Sequence, residues 1–204
     1  MPYVIRPPRP KALLAAVVAA LALAAPAAAE AACPANPVTN PFARFGDTAD
    51  YSLLAGGDFE SGAPGWTLSN AYTIFGNESY KVGGSSDSRA LRIRSDGTAV
   101  SPSFCVGIEH PGFRFFARQS GGTWATMLVK LRWTDQGGNT RDTTVGALNG
   151  GDLRTWGPTQ SFALARALPL WQAGQSLDVR LVFDPEDWGG GWAIDDVYID
   201  PYAR

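Results

Sequence analysis

The chain has 204 residues, 45% of them apolar and 18% charged, with 23 Gly, 15 Pro, 2 Cys, 7 Trp and a single His. These proportions suit one globular domain and exclude a disordered, collagen-like or disulfide-dense protein. A formal net charge of -2 without a basic stripe argues against nucleic acid, because phosphate contacts supply most of that affinity.

Arg6, Arg9 and Lys11 precede an apolar run from Ala12 to Ala25, which Pro26 and an Ala-rich stretch end. A basic start, an apolar middle and small residues at the end make residues 1–32 a secretory signal peptide, cut after Ala29, Ala31 or Ala32. As a helix the run would span about 21 Å, short of the roughly 30 Å hydrocarbon core. The expected product is secreted and extracellular, with no membrane span. Cys33 and Cys105, two cysteines in a secreted chain, most simply pair with each other. That bridge would close a loop of ~70 residues and contribute roughly 3–4 kcal/mol by chain entropy. The other reading is a lipid anchor on Cys33, against which Glu30 stands where lipoprotein signals carry an aliphatic residue.

Residues 33–48 form a Pro/Asn-rich extended lead-in, and 49–204 are expected to be a β-sandwich domain. Period-2 alternation marks half-buried strands at Leu91–Arg94, Phe113–Arg118, Met127–Trp133 and Leu177–Phe183. Turn signals at Gly83-Gly84-Ser85, Asp96-Gly97, Gly121-Gly122, Gln136–Asn139, Asn149–Asp152 and Gly189–Gly191 separate the runs. Phe162–Leu168 could form a helical turn or two before Pro169. The fold class is therefore all-β: a two-sheet antiparallel sandwich of about nine to eleven strands.

The first strand pair is expected to begin Ala55-Gly56-Gly57-Asp58-Phe59-Glu60, with Gly65-Trp66 after it, and the last strand reads Trp192-Ala193-Ile194-Asp195-Asp196-Val197-Tyr198-Ile199-Asp200. These two ends resemble the β-jelly-roll carbohydrate-binding modules and related galactose-binding-like domains. The layout as a whole also resembles a group of small secreted actinobacterial proteins. Period 2 assigns Ala193, Asp195, Val197 and Ile199 to one face, and if that face is the core, Asp195 is a carboxylate among aliphatics. Such a charge needs a cation or several donors. The resemblance implies a structural Ca²⁺ at Glu60, Asp195 and the Gly84–Asp87 region, with Asp87 as its side-chain ligand; pairing of Asp195 with an arginine is the other reading. Asp184, Glu186 and Asp187 read as a solvated acidic loop.

No catalytic residues are assigned. A nucleophile–histidine site would have to use His110, which reads as a surface residue in a turn, and no Gly-x-Ser-x-Gly elbow is present. Glu60, Glu78, Glu109 and Glu186 are the glutamates available to a paired-carboxylate site. Among the tryptophans, Trp66, Trp133 and Trp192 read as core, Trp156 and Trp171 lie beside Gly/Pro breaks, and Trp124 and Trp188 fall in Gly-flanked loops. Trp124 and Trp188, with Tyr72 and Tyr80, are the ligand-binding candidates, since flat aromatics stack on sugar faces. Two functions remain open: a non-catalytic carbohydrate-binding domain for a polysaccharide or glycan, and an extracellular or envelope scaffold whose partner is a protein.

Overall fold

The computed structural model describes residues 1–2, 33–107, 110, 112–122, 124–164, 176–186 and 190–200. Most of the expected signal peptide (3–32) therefore lies outside the described residues.

Among the described residues eleven strands follow in chain order: β1 Ser52–Leu53, β2 Thr67–Phe75, β3 Arg89–Val100, β4 Phe104–Gly107, β5 Gly112–Gln119, β6 Thr126–Thr134, β7 Thr140–Asn149, β8 Gly157–Pro158, β9 Phe162–Ala163, β10 Ser176–Pro185 and β11 Trp192–Asp200. Every pairing is antiparallel. The order runs β7-β6-β10-β3-β11-β5-β8, with β1 on β11, β2 on β3, β4 on β10 and β9 on β5. The sheet curls into the two layers of a sandwich because β3 serves both. Its first half pairs with β11 at Leu91–Ile93, and its far end pairs with β10 at Ala99–Val100. Among the described residues no helix is long and apolar enough to cross a membrane.

Between the layers lies the main core, where Leu91, Ile93, Phe113, Phe115, Val129, Leu131, Leu181, Phe183, Trp192 and Ile194 are fully buried. Strand alternation delivers these side chains inward and their charged neighbours outward. A second, smaller core occupies the opposite face of β5 and β11, built from Ala90, Phe116, Trp156, Ala193 and Tyr198. The lead-in closes it. Phe42 is buried there against Phe116 (ring centroids 5.4 Å apart) and Tyr51 (4.9 Å). A 3₁₀ turn at Ala43–Phe45 sets Phe45 beside Tyr80. Asp47 anchors the segment, accepting from Arg114 and from the Tyr51 hydroxyl, each at 2.7 Å. The Cys33–Cys105 disulfide ties the start of the lead-in to β4.

Four local expectations differ from the structure. The Gly-Gly-Asp-Phe-Glu segment is a turn rather than a strand: Gly56 and Phe59 take left-handed φ values of 63° and 55°, which drop the Phe59 ring into the core. Asp96-Gly97 lies inside β3 instead of ending it. There the β2–β3 register shifts between Ser69 and Ala71, and a Cβ on Gly97 would lie 2.6 Å from the Asn70 carbonyl oxygen, so Gly97 serves a bulge. Of the expected helical segment Phe162–Leu168, residues 165–168 lie outside the described residues, and Phe162 starts strand β9, because its ring stacks on Phe113 (5.2 Å) and Phe115 (5.7 Å) and its backbone pairs with β5. The faces of β11 also change partway. A register shift between Asp195 and Tyr198, with Asp196 at φ 51°, puts Trp192, Ile194, Val197 and Ile199 in the main core and Ala193 and Tyr198 in the second. Strict alternation fails because a bulge adds a residue to one strand only.

Candidate functional site

The β11 bulge buries two successive carboxylates. Asp195 is satisfied by the backbone: Oδ2 accepts from Glu78 N–H (3.0 Å) and Oδ1 from Asp196 N–H (2.9 Å). Glu78, itself fully buried, accepts from the N–H groups of Tyr80 and Val82 and so pins the loop that follows β2. Glu60 caps the start of β3, with Oε1 accepting from Ser88 N–H and Arg89 N–H, each at 2.7 Å, and Oε2 from the Ser88 hydroxyl. Burial alone would raise the Glu60 pKa, but those donors outweigh it and hold it below the ordinary value.

Asp196 has no such support, and Asp87 has only the Gly84 N–H. Both Asp196 oxygens and Asp87 Oδ2 are buried without a donor. A Cβ on Gly83 would sit 2.8 Å from Asp87 Oδ2 and 3.2 Å from Asp196 Oδ1, so the absent side chain leaves a cradle between two carboxylates. Desolvation, and then the fields of Glu78, Asp87, Asp58 and Glu60, push the Asp196 pKa up. Asp195 is pushed up by desolvation and then by Asp196, and Asp87 by desolvation and then by Glu60. Six carboxylates thus share one region whose nearby bases are Arg89, acting on Glu60, and Lys81, acting on Asp87. Among the described residues no three Asp, Glu, His or Cys side chains converge as a metal cluster. Further ligands for an ion held by Asp87 and Asp196 would have to be backbone carbonyls, hydroxyls or water, which are ordinary Ca²⁺ donors. The oxygen-only donor set and the open cradle fit that ion. Of the three sequence candidates, Asp87 lies at the cradle, whereas Glu60 and Asp195 have their oxygens occupied by N–H and O–H donors. Asp196 was missed because unbroken alternation assigns it to the face opposite Asp195.

A second arrangement crosses the outer face of the β2–β3–β11–β5 layer. Register pairs Tyr72 with Arg92, Arg92 with Ala193, and Ala193 with Arg118. Trp156 extends the row, its ring 5.2 Å from the Arg118 guanidinium carbon. Directly opposed residues share a face, so Tyr72–Arg92–Ala193–Arg118–Trp156 form one line about 19 Å long at the usual strand spacing. Tyr72 is half exposed, both arginines are partly exposed, and Ala193 supplies a small floor between them. Among the described residues neither arginine forms an ion pair, and the Nε–H of each is closed off from solvent without an acceptor.

The other aromatic candidates are placed differently. Trp124 is 87% exposed in the β5–β6 loop. That loop abuts the segment before β11, where Ser120 Oγ donates to Gly191 O (2.6 Å). Tyr80 is half-buried against Phe45 and Phe116, and its hydroxyl donates to Trp156 O. Trp188 and Trp171 lie outside the described residues. His110 is buried rather than solvated, because Nδ1 accepts from Gly107 N–H (2.9 Å) to close the turn after β4. Asp184 pairs with Lys130 across the β6–β10 ladder instead of standing free in a loop.

The sequence matches no protein-family model and no curated protein. Among solved structures it is similar to the CBM22-1 xylan-binding domain of Paenibacillus barcinonensis Xyn10C, with 14% identity, TM-score 0.48, and 72% of this chain and 93% of that one covered. It is also similar to the family 11 carbohydrate-binding module of Clostridium thermocellum Lic26A-Cel5E (11% identity, TM-score 0.46, 74% and 94% covered). A third neighbour is TmCBM61 in complex with β-1,4-galactotriose (17% identity, TM-score 0.41, 72% and 96% covered).

Proposed function

We propose that this chain is a secreted, non-catalytic β-sandwich domain that binds a polysaccharide along the outer face of the β2–β3–β11–β5 layer. One observation carries the reading: exposed Tyr72 shares a row with the partly exposed Arg92 and Arg118, which have no acceptor among the described residues, and the buried Trp156 ring backs the Arg118 guanidinium. Sugar recognition uses this combination, aromatic surface for C–H faces and unspent donors for hydroxyl or carboxylate oxygens. We propose also that Asp87 and Asp196 hold a structural Ca²⁺, which would neutralise the buried carboxylates and fix the Gly83–Asp87 loop against β11.

The test is affinity electrophoresis and tryptophan fluorescence of the purified protein against a panel of soluble neutral and acidic polysaccharides. Saturable retardation by at least one, lost in Tyr72→Ala at unchanged melting temperature, is the expected result. Absence of binding across the panel overturns the reading and favours a scaffold whose partner is a protein.

A further inference from the structure

We infer that the polysaccharide is a uronate-bearing one, its carboxylates taken by Arg92 and Arg118; this rests on the binding reading above and narrows its ligand to an anionic class. A site for neutral sugars alone needs donors and acceptors together, because each hydroxyl does both. The two longest interior side chains of this row are donors only, since a guanidinium accepts nothing. They flank Ala193 from adjacent strands, so their Cα atoms stand about 10 Å apart across a small residue. Ala193 is fully buried, so the two partly exposed guanidiniums stand side by side on this face.

Among the described residues four arginines are ion-paired, Arg132 with Asp142 and Arg141 with Asp135, each at 2.8 Å, Arg114 with Asp47 at 2.7 Å, and Arg94 with Asp96 at 3.8 Å, and Arg44 and Arg180 donate to the Tyr80 and Ser101 carbonyls. Arg92 and Arg118 have neither kind of partner and stand on one face on either side of Ala193. The acidic residue nearest along β11, Asp195, is buried and turned to the Glu78 and Asp196 N–H groups. Arg118 spends its face on the Trp156 ring, which leaves its in-plane N–H groups for a fork on a carboxylate. The chain as a whole is net negative, at -2. A general attraction for polyanions is therefore absent, and selectivity has to come from this local pair.

The experiment is titration of the purified protein at 0.15 M NaCl with polygalacturonate, its fully methyl-esterified form, neutral xylan and dextran sulfate. Wild type, Arg92→Gln and Arg118→Gln are compared, with Arg141→Gln as the control for charge alone. The expected result is binding of polygalacturonate at least tenfold tighter than of the ester. Each row substitution should weaken it tenfold or more without lowering the melting temperature, and Arg141→Gln should have no effect. Equal binding of ester and acid, or xylan preferred, overturns the uronate assignment while leaving polysaccharide binding in place. Binding of dextran sulfate as strong as that of polygalacturonate and indifferent to the row arginines overturns it too, as adventitious polyanion attraction. No binding of any polymer overturns both readings.

Discussion

The buried carboxylates at Asp87 and Asp196 make the metal proposal quantitative. In a calcium-free protein, the ionised Asp196 is held by burial against the fields of Glu78, Asp87, Asp58 and Glu60 with no donor to either oxygen. A group whose folded pKa is raised contributes full stability below its unfolded value and loses it as pH rises through the folded value. The calcium-free protein should therefore become less stable from about pH 4, the unfolded value, up to about pH 8, to which the Asp196 pKa is raised. Calcium replaces the missing proton. With 1 mM free Ca²⁺ and a Kd of ~10 μM, linkage adds about 2.7 kcal/mol. For a domain of this size that raises Tm by about 5–11 °C. Thermal melts followed by circular dichroism at pH 7.5, in EDTA and in 1 mM CaCl2, measure the difference directly.

Asp196→Asn separates this account from a general salt effect. Asparagine tolerates the left-handed φ of 51° found there, so the bulge survives while the charge is removed. The variant should ignore calcium. In EDTA at pH 8 it should melt above wild type, because the amide can donate toward Asp87 where the carboxylate can only repel it. Identical wild-type melts in EDTA and in calcium would refute the reasoning, as would an Asp196→Asn protein with the full calcium response.

Two further predictions concern the lead-in. Asp47 is held down to about 2, since donors from Tyr51, Ala49 and Arg114 outweigh the desolvation that alone would raise it. Its contribution of roughly 2 kcal/mol is present above the ordinary carboxylate value and is lost as pH falls from about 4 toward 2. Asp47→Asn should flatten that acid limb in urea melts taken between pH 6 and pH 2.5, and an unchanged limb counts against the Asp47–Arg114 anchor. The Cys33–Cys105 bridge spans 72 residues, so replacing both cysteines by serine should cost about 4 kcal/mol on the chain-entropy account. A urea midpoint that does not move would show that the lead-in stays docked without its covalent tie.

The strands β5, β6 and β10 were legible because each keeps one charged and one apolar face, a pattern set by the pleat alone. Trp124 was legible as exposed because glycines flank it in a loop with no strand to turn it inward. What alternation could not show is where it breaks. Gly97 looks like a turn residue and serves a bulge within β3. The insertion near Asp196 swaps the faces of β11, so the carboxylate left without donors is the one that strict period 2 assigns to the face opposite Asp195. Arg92 and Arg118 are 26 residues apart in the sequence. Each reads as a charged outer-face position of its own strand, and only the β3–β11–β5 register puts them on either side of Ala193.

That register also explains where on the outer face the lead-in docks. Two residues along the same strands from Arg92, Ala193 and Arg118 stand Ala90, Asp195 and Phe116. Ala90 and Phe116 join the core that Phe42 completes, while the Asp195 carboxylate is spent on backbone donors. Apolar surface there gains from being covered, so the lead-in docks on it. The arginine row gains less, because covering the N–H groups still exposed there without an acceptor would cost about 1–3 kcal/mol. A sandwich selected for stability alone would carry a carboxylate beside Arg92 and Arg118, as it does beside Arg114, Arg132 and Arg141. Local rules are broken in this way where a site takes a partner, which is the role proposed above for the row that begins at Tyr72.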